Sequence, residues 1–238
     1  MKRLLRSIGV AAKGIAEVMA PDYCRLCGGH LAEGERLICN LCRIRLPATD
    51  FHLIPDNAMT VRFAGEPGIV RATALFHYVR DTPLALAIHD FKYNGVPSLA
   101  LEFGREMGRR LLPTGFLSDV DLLMPVPVHF LKRMRRGYNQ TDYLARGLSE
   151  ISGIPVAGNL YAGRPHKTQT GRTLVQREAN TAGVFAVRHP ETLAGHHVLL
   201  IDDVCTTGST LKACARALLA ARPDLRCSIA TLAAAPRL

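Results

Sequence analysis

Between His197 and Ala221 the chain reads as a strand, two acids, a hydroxyl-rich turn and a helix. That order restricts the possible folds more than any other stretch. Val198-Leu-Leu-Ile201 is a short apolar run with β-branched residues at both ends, the pattern of a buried strand. Asp202 and Asp203 follow at once. Thr206-Thr-Gly-Ser-Thr210 then supplies four hydroxyls and one glycine, and Leu211, Ala215, Leu218 and Leu219 recur at helical spacing. A strand that enters a helix through a tight turn belongs to an α/β architecture.

The chemistry of this order is concrete. A helix N-terminus offers unpaired N–H groups and the positive end of the helix dipole, which suit a phosphate. The hydroxyls of Thr206, Thr207, Ser209 and Thr210 add donors, and Gly208 lets the backbone approach an anion closely. Asp202 and Asp203 can accept hydrogen bonds from adjacent sugar hydroxyls, or hold Mg²⁺ through them. A sugar diol beside a phosphate describes a ribose 5-phosphate. The plainer alternative is an ordinary helix cap, although two carboxylates at the end of a buried strand with no use for them would be unusual. The stretch resembles the ribose-phosphate motif of type I phosphoribosyltransferases. It lacks the terminal Gly-Lys-Ser/Thr of a P-loop.

With 238 residues the chain can form one substantial domain and a small appendage. Its formal net charge of +10 favours anionic partners, whether phosphates, nucleotides or nucleic acid, or else reflects a generally basic surface. No apolar run is long enough to span a membrane. Leu4, Leu5, Ile8, Ala12, Ile15 and Met19 suit one face of a soluble N-terminal helix; Lys13 and Glu17 interrupt what would otherwise pass for a signal peptide. The seven cysteines, odd in number and without an export signal, point to a reducing, cytoplasmic location.

Four of those cysteines form two knuckles, Cys24-Arg-Leu-Cys27 and Cys39-Asn-Leu-Cys42. This spacing allows four thiolates to surround one ion tetrahedrally, and thiolates select Zn²⁺ over hard cations. With no open ligand position the zinc would be structural. A disulfide pair and a redox Cys-x-x-Cys are the alternatives.

The segment from Pro47 to Gly68 has little periodicity and several prolines and glycines, so 51–69 is expected as a linker between an N-terminal unit (1–50) and a second domain (70–238). Strands are expected at Arg71–Val79, Asp121–Val128, Ile154–Val156, Val184–Val187 and Cys227–Leu232, with helices from Pro83, over Ser98–Leu112 and over Gln140–Ile151. After the Asp121 strand comes Lys132-Arg-Met-Arg-Arg136, expected as a cationic loop beyond the carboxyl ends of the strands. Arg133, Arg135 and Arg136 there would suit a pyrophosphate; a solvated basic loop or a nucleic-acid patch is the alternative. The polar stretch 162–183, which carries Lys167, reads as a lid or as plain surface.

Taken together, the chain resembles the ComF family. The paired knuckles, Phe91-Lys-Tyr-Asn-Gly95, Pro125-Val-Pro127, Arg136-Gly-Tyr-Asn-Gln140, Gln169 with Arg177 and Asn180, and Asp202-Asp-Val-Cys-Thr-Thr-Gly-Ser-Thr210 carry the resemblance. One departure is that Arg177 precedes Glu178 where related sequences often read Glu-Arg. The resemblance implies a type I phosphoribosyltransferase-like parallel sheet flanked by helices, behind a small N-terminal zinc ribbon. It implies phosphoribosyl pyrophosphate with Mg²⁺ as ligand, with catalytic roles for Asp202 and Asp203 and substrate contacts from Thr206 to Thr210, the three arginines and Lys167. It also implies a link to natural competence and DNA uptake, with single-stranded DNA and a competence helicase as candidate partners. Three functions fit: transfer of phosphoribosyl to a nitrogen nucleophile, non-catalytic binding of single-stranded DNA, and sensing of phosphoribosyl pyrophosphate.

Overall fold

The computed structural model describes residues 23–162 and 184–236. The expected N-terminal helix and the 163–183 stretch, with Lys167, Gln169, Arg177 and Asn180, lie outside the described residues.

Four parallel strands make the central sheet, in the order β1 (Ile69–His77), β6 (Arg226–Ala234), β5 (His197–Cys205), β2 (Leu122–Pro125). Such a sheet must be covered on both faces, and β5 shows how. Leu199 and Ile201 join one core with helices α3 (Pro83–Tyr93), α4 (Pro97–Leu111) and α6 (Gln140–Ser152). Val198 and Leu200 join the other core, with α2 (Ala58–Arg62) and α7 (Ser209–Ala221). The strand's two-residue alternation therefore feeds two layers of helix.

Helices α4 and α6 touch backbone to backbone. A Cβ on Gly104 would lie 2.2 Å from the Leu144 carbonyl oxygen, and one on Gly147 would lie 2.1 Å from that of Leu101. Sequence alone assigns no purpose to these glycines; the packing requires both.

The structure departs from the sequence reading in four places. Lys132–Arg136 is not a loop but part of a short helix, α5 (Phe130–Arg136), built from good helix formers and ended by Gly137 at φ 86°. The expected strand at 154–156 shrinks to one bridge, Leu123 to Val156, because Pro155 has no N–H to give the ladder. An unforeseen strand, β3 (Leu160–Ala162), pairs antiparallel with β4 (Phe185–Val187). The stretch expected as a linker holds a 3₁₀ turn at Phe51–Leu53 and helix α2, capped by Asn57, whose side chain accepts from the Met59 and Thr60 amides. Met59 and Phe63 are buried in the α7-side core. Upstream, Pro47 and Thr49 cover the free edge of β1, with Thr49 N–H donating to Leu75 O and His77 N–H to Pro47 O, both at 2.8 Å.

Candidate functional site

Strand β5 runs four residues beyond Ile201, to Cys205, so both acids sit on the strand itself. Asp202 continues the Val198–Leu200 face and Asp203 the Leu199–Ile201 face. Asp203 is buried against α3 and α6, where Lys92 Nζ lies 2.6 Å from Oδ1 and Gln140 Nε2 donates to Oδ2 at 2.6 Å. A buried carboxylate needs such partners. Gln140 is held in place by its neighbours. Thr141 Oγ1 and Asn139 Nδ2 donate to Val126 O at 2.6 and 3.3 Å, and Tyr138 Oη donates to Phe91 O. The Arg-Gly-Tyr-Asn-Gln segment thus ties β2, α3 and α6 together beneath Asp203.

Asp202 is half-buried and accepts the Asp203 amide at 2.9 Å. Burial and the adjoining Asp203 charge push its carboxyl up to about 7, against the pull of that amide and of Lys92 and Lys132. A carboxyl poised near neutrality at the end of a strand marks a candidate site.

The bend after β5 has the form the sequence implies. Gly208 stands at φ 82° as the N-cap of α7 and contributes no side-chain cap. Thr206, Thr207, Ser209 and Thr210 are exposed around it, and the bend encloses a hollow of about 30 Å³ between Asp202, Thr206, Gly208, Ser209 and Thr210. A side chain at 208 would be strained by φ and would also meet the Phe63 ring at 3.0 Å. From below, Arg62 Nη1 donates to the carbonyls of Cys205 (3.2 Å) and Thr206, while Nη2 donates to Ala235 O (2.9 Å). Arg62 and Phe63 therefore set the shape of the bend. Sequence reasoning missed them, since they sit in a stretch without periodicity and more than a hundred residues away.

An open cleft of about 320 Å³ adjoins the bend, lined by Asp202, Asp203, Ser209 and Thr210 on one side and by Lys92, Lys132, Arg136 and Gln140 on the other. Arg136 is fixed by donating to Gln140 Oε1 at 2.8 Å and by stacking over Tyr93, 4.8 Å from the ring centre. Of the expected phosphate ligands, the structure brings Arg136 to the cleft. Arg133 and Arg135 are exposed on the same helix and do not line it. Lys132 does line it, as does Lys92 from the Phe-Lys-Tyr-Asn-Gly segment. Lys167 lies outside the described residues.

The four cysteines converge, their sulfurs all within 4.8 Å of one another. Cys27 and Cys39 Sγ are 3.8 Å apart, close to the edge of a tetrahedron with metal–sulfur bonds of about 2.3 Å. The Leu26 and Cys39 amides donate to Cys24 Sγ at 3.4 and 3.3 Å, and the Cys42 amide to Cys39 Sγ at 3.4 Å. Burial opposes ionisation of Cys24, yet the amides of Cys39, Cys27 and Leu26, with the Cys27 side chain, bring it down to about 7. Sulfurs gathered at this spacing and solvated by amides fit a tetrahedral zinc. Cys39 caps helix α1 (Asn40–Arg45), and α1 docks on α4 through Arg43, whose Nη2 and Nη1 pair with Glu102 at 2.7 Å and Glu106 at 2.9 Å.

The cleft, the bend and the parallel sheet now stand beside known proteins. The phosphoribosyl transferase domain model matches residues 94–237, more than half of the chain. The chain belongs to the phosphoribosyl transferase domain family. Competence protein F of Haemophilus influenzae is 28% identical to this family member over 200 residues, covering 79% of this chain and 86% of the relative. The DNA utilization protein YhgH of Escherichia coli K12 is 29% identical over 216 residues (84% and 91%), and competence protein ComFC of Bacillus subtilis 26% over 207 residues (79% and 80%). The ComF resemblance is borne out by these relatives. Among solved structures, the allosteric regulatory enzyme of purine biosynthesis aligns at 18% identity with a TM-score of 0.41, over 59% of this chain and 29% of that one. Glutamine phosphoribosylpyrophosphate amidotransferase from B. subtilis aligns at 17% with a TM-score of 0.40, over 59% and 30%. Among the described residues, no helix is long and apolar enough to cross a membrane.

Proposed function

We propose that this phosphoribosyl transferase family member binds phosphoribosyl pyrophosphate with Mg²⁺ at the end of β5 and transfers the phosphoribosyl group to a nitrogen nucleophile. The observation that carries the reading is the exposed start of α7 beside a half-buried Asp202 carboxyl, where Gly208 gives no side-chain cap and the Ser209 amide meets the Thr207 hydroxyl only at 3.4 Å. The 5-phosphate would take the bend from Thr206 to Thr210, and the ribose diol Asp202. Arg136, Lys92 and Lys132 would face the pyrophosphate. The donor set fits Mg²⁺, which favours one or two carboxylates completed by substrate phosphates and water; when bound it would neutralise charge on the leaving group. In the transfer the bond from ribose C1 to the pyrophosphate oxygen breaks, pyrophosphate keeps the electron pair, and the nucleophile's nitrogen bonds to C1 and gives up its proton. Asp203, held by Lys92 and Gln140, acts as a positioning residue for Asp202. The sequence division into a ribbon unit (1–50), a connecting stretch (51–69) and a transferase-like domain (70–238) belongs to this reading, as do a structural zinc and a cytoplasmic location.

The test is a product assay with labelled phosphoribosyl pyrophosphate against a panel of nucleobases. Wild type should release pyrophosphate with at least one base, and Asp202→Asn should reduce the rate at least 100-fold. Equal rates for the two proteins would reject the assignment.

A second reading, binding of single-stranded DNA in competence or with a competence helicase, rests on α5. There Lys132, Arg133 and Arg135 are exposed beside Phe130 (55% exposed), Leu131 (66%) and Met134 (61%). The names of the relatives point the same way. Affinity for single strands should then fall steeply with salt, and Arg133→Glu with Arg135→Glu should abolish it.

A further inference from the structure

Arg62 closes helix α2 and is only 7% exposed, yet it carries a guanidinium. Among the described residues no carboxylate pairs with it. Nη1 donates to the Cys205 and Thr206 carbonyls and lies 3.5 Å from the Cys205 sulfur, and Nη2 donates to the Ala235 carbonyl. The Nε–H is buried without a hydrogen-bond partner. Glu66, the acid closest to Arg62 along the chain, is taken by α7, where Arg216 Nη2 reaches it at 2.6 Å and Lys212 Nζ at 3.5 Å. A buried cation held only by dipoles is short of negative charge. Helix α2 also lies outside residues 94–237, so the transferase domain match does not account for this arginine.

Where the charge stands matters as much as its isolation. The described peptide bonds are trans, and in a planar trans peptide the C=O and N–H point opposite ways. Drawing the Cys205 and Thr206 carbonyls to Arg62 therefore turns the Thr206 and Thr207 amides away from it. The hollow of the bend is lined by Thr206, Gly208, Ser209 and Thr210, not by Arg62. Cys205 O also accepts the Ala235 amide at 2.9 Å, so Arg62 locks the end of β5 to the chain leaving β6. We infer that Arg62 is a positioning residue for the sugar phosphate: it holds the amides of the bend toward the 5-phosphate and sets a positive charge behind them. The inference rests on the ribosyl reading above and adds to it a residue that touches no substrate. A phosphate dianion in the hollow supplies the negative charge missing around Arg62.

Isothermal titration of full-length, zinc-loaded protein with two partial ligands tests this. Ribose 5-phosphate probes the bend, and pyrophosphate with Mg²⁺ probes the side formed by Lys92, Lys132 and Arg136. Arg62→Met keeps the bulk of the side chain and should weaken ribose 5-phosphate roughly tenfold or more, the size of a lost charge-assisted hydrogen bond, while leaving pyrophosphate within about twofold of wild type. Arg62→Lys keeps the charge and should regain most of that loss. A residue that only held the fold together would lower both affinities in step. Phosphorus-31 titration of bound ribose 5-phosphate reads the charge itself, and its wild-type arm needs no variant. The second ionisation, near about 6 for a free phosphate monoester, should move down by roughly one pH unit or more in wild type, and by less than half as much in Arg62→Met. Ribose 5-phosphate affinity unchanged in Arg62→Met, equal losses for both ligands, no recovery in Arg62→Lys, or a bound phosphate that ionises like the free one would each overturn the inference and leave the ribosyl reading standing. Absence of ribose 5-phosphate binding by wild type would remove both.

Discussion

Asn at position 202 should stabilise the ligand-free protein above neutral pH. The folded Asp202 carboxyl, pushed up to about 7 by burial and by the Asp203 charge, holds its proton more tightly than the unfolded one at 3.8. Between those two values the folded state binds more protons, so stability falls as pH rises through the window. One pKa unit corresponds to about 1.4 kcal/mol, which sets a ceiling of about 4 kcal/mol. The carboxyl is part-exposed, and solvent screening reduces the expected cost to roughly 1–2 kcal/mol. Asn keeps an oxygen to accept the Asp203 amide and carries no charge. In a chain of this size about 1 kcal/mol moves Tm by about 2–4 °C, so Asp202→Asn should melt roughly 3–6 °C higher at pH 8. The gain should shrink to about a third at pH 5, where most of the ionisation cost has vanished. Circular-dichroism melts at the two pH values, without added Mg²⁺ or ligand, measure this. A lower Tm for Asn at pH 8, or a gain independent of pH, would refute the electrostatic argument. A confirmed gain would show that the carboxylate is kept at a cost in stability, as binding groups often are.

Three further outcomes follow from the packing. Cys24→Ser should lower bound zinc well below one per chain by elemental analysis. It should also speed hydrogen exchange over 24–45, because α1 starts on Cys39 and reaches α4 through Arg43; an unchanged exchange pattern would uncouple metal from docking. Gly147→Ala drives a Cβ onto the Leu101 carbonyl and should cost about 2–3 kcal/mol in urea unfolding, whereas a loss below about 0.5 kcal/mol would mean that α4 and α6 part easily. His197, buried between Asp119 O (2.9 Å) and Ser228 Oγ (2.8 Å), has its imidazole pKa lowered by burial, despite the opposing pull of Asp119. The unfolded state therefore binds more protons below the ordinary 6.5, and stability, full above that pH, should fall as pH drops. His197→Asn should flatten this acid limb in melts from pH 7 to pH 5.

Local chemistry was readable from the chain where a segment acts through its own neighbours. The β5 strand, the Gly208 bend, the α7 periodicity and the two cysteine knuckles each declare themselves within about a dozen residues. What stayed hidden depends on partners far along the chain. Asp203 meets Gln140 across 63 positions, and Arg62 meets Thr206 across 144. No local pattern marks such pairs. Helix α5 is hidden in the sequence because clustered arginines suggest a loop by charge, while their straight side chains favour helix by entropy. Strand β3 is only three residues long and lacks the alternation that betrays a strand.

The central claim is that the bend after β5 receives a phosphorylated ribose beside Asp202. Isothermal titration of the zinc-loaded chain with phosphoribosyl pyrophosphate, with and without Mg²⁺, tests it most directly. Saturable binding that strengthens with Mg²⁺, and that falls at least tenfold in both Asp202→Asn and Thr210→Val, is the predicted result. Absence of heat in wild type, or full affinity in both variants, would contradict it.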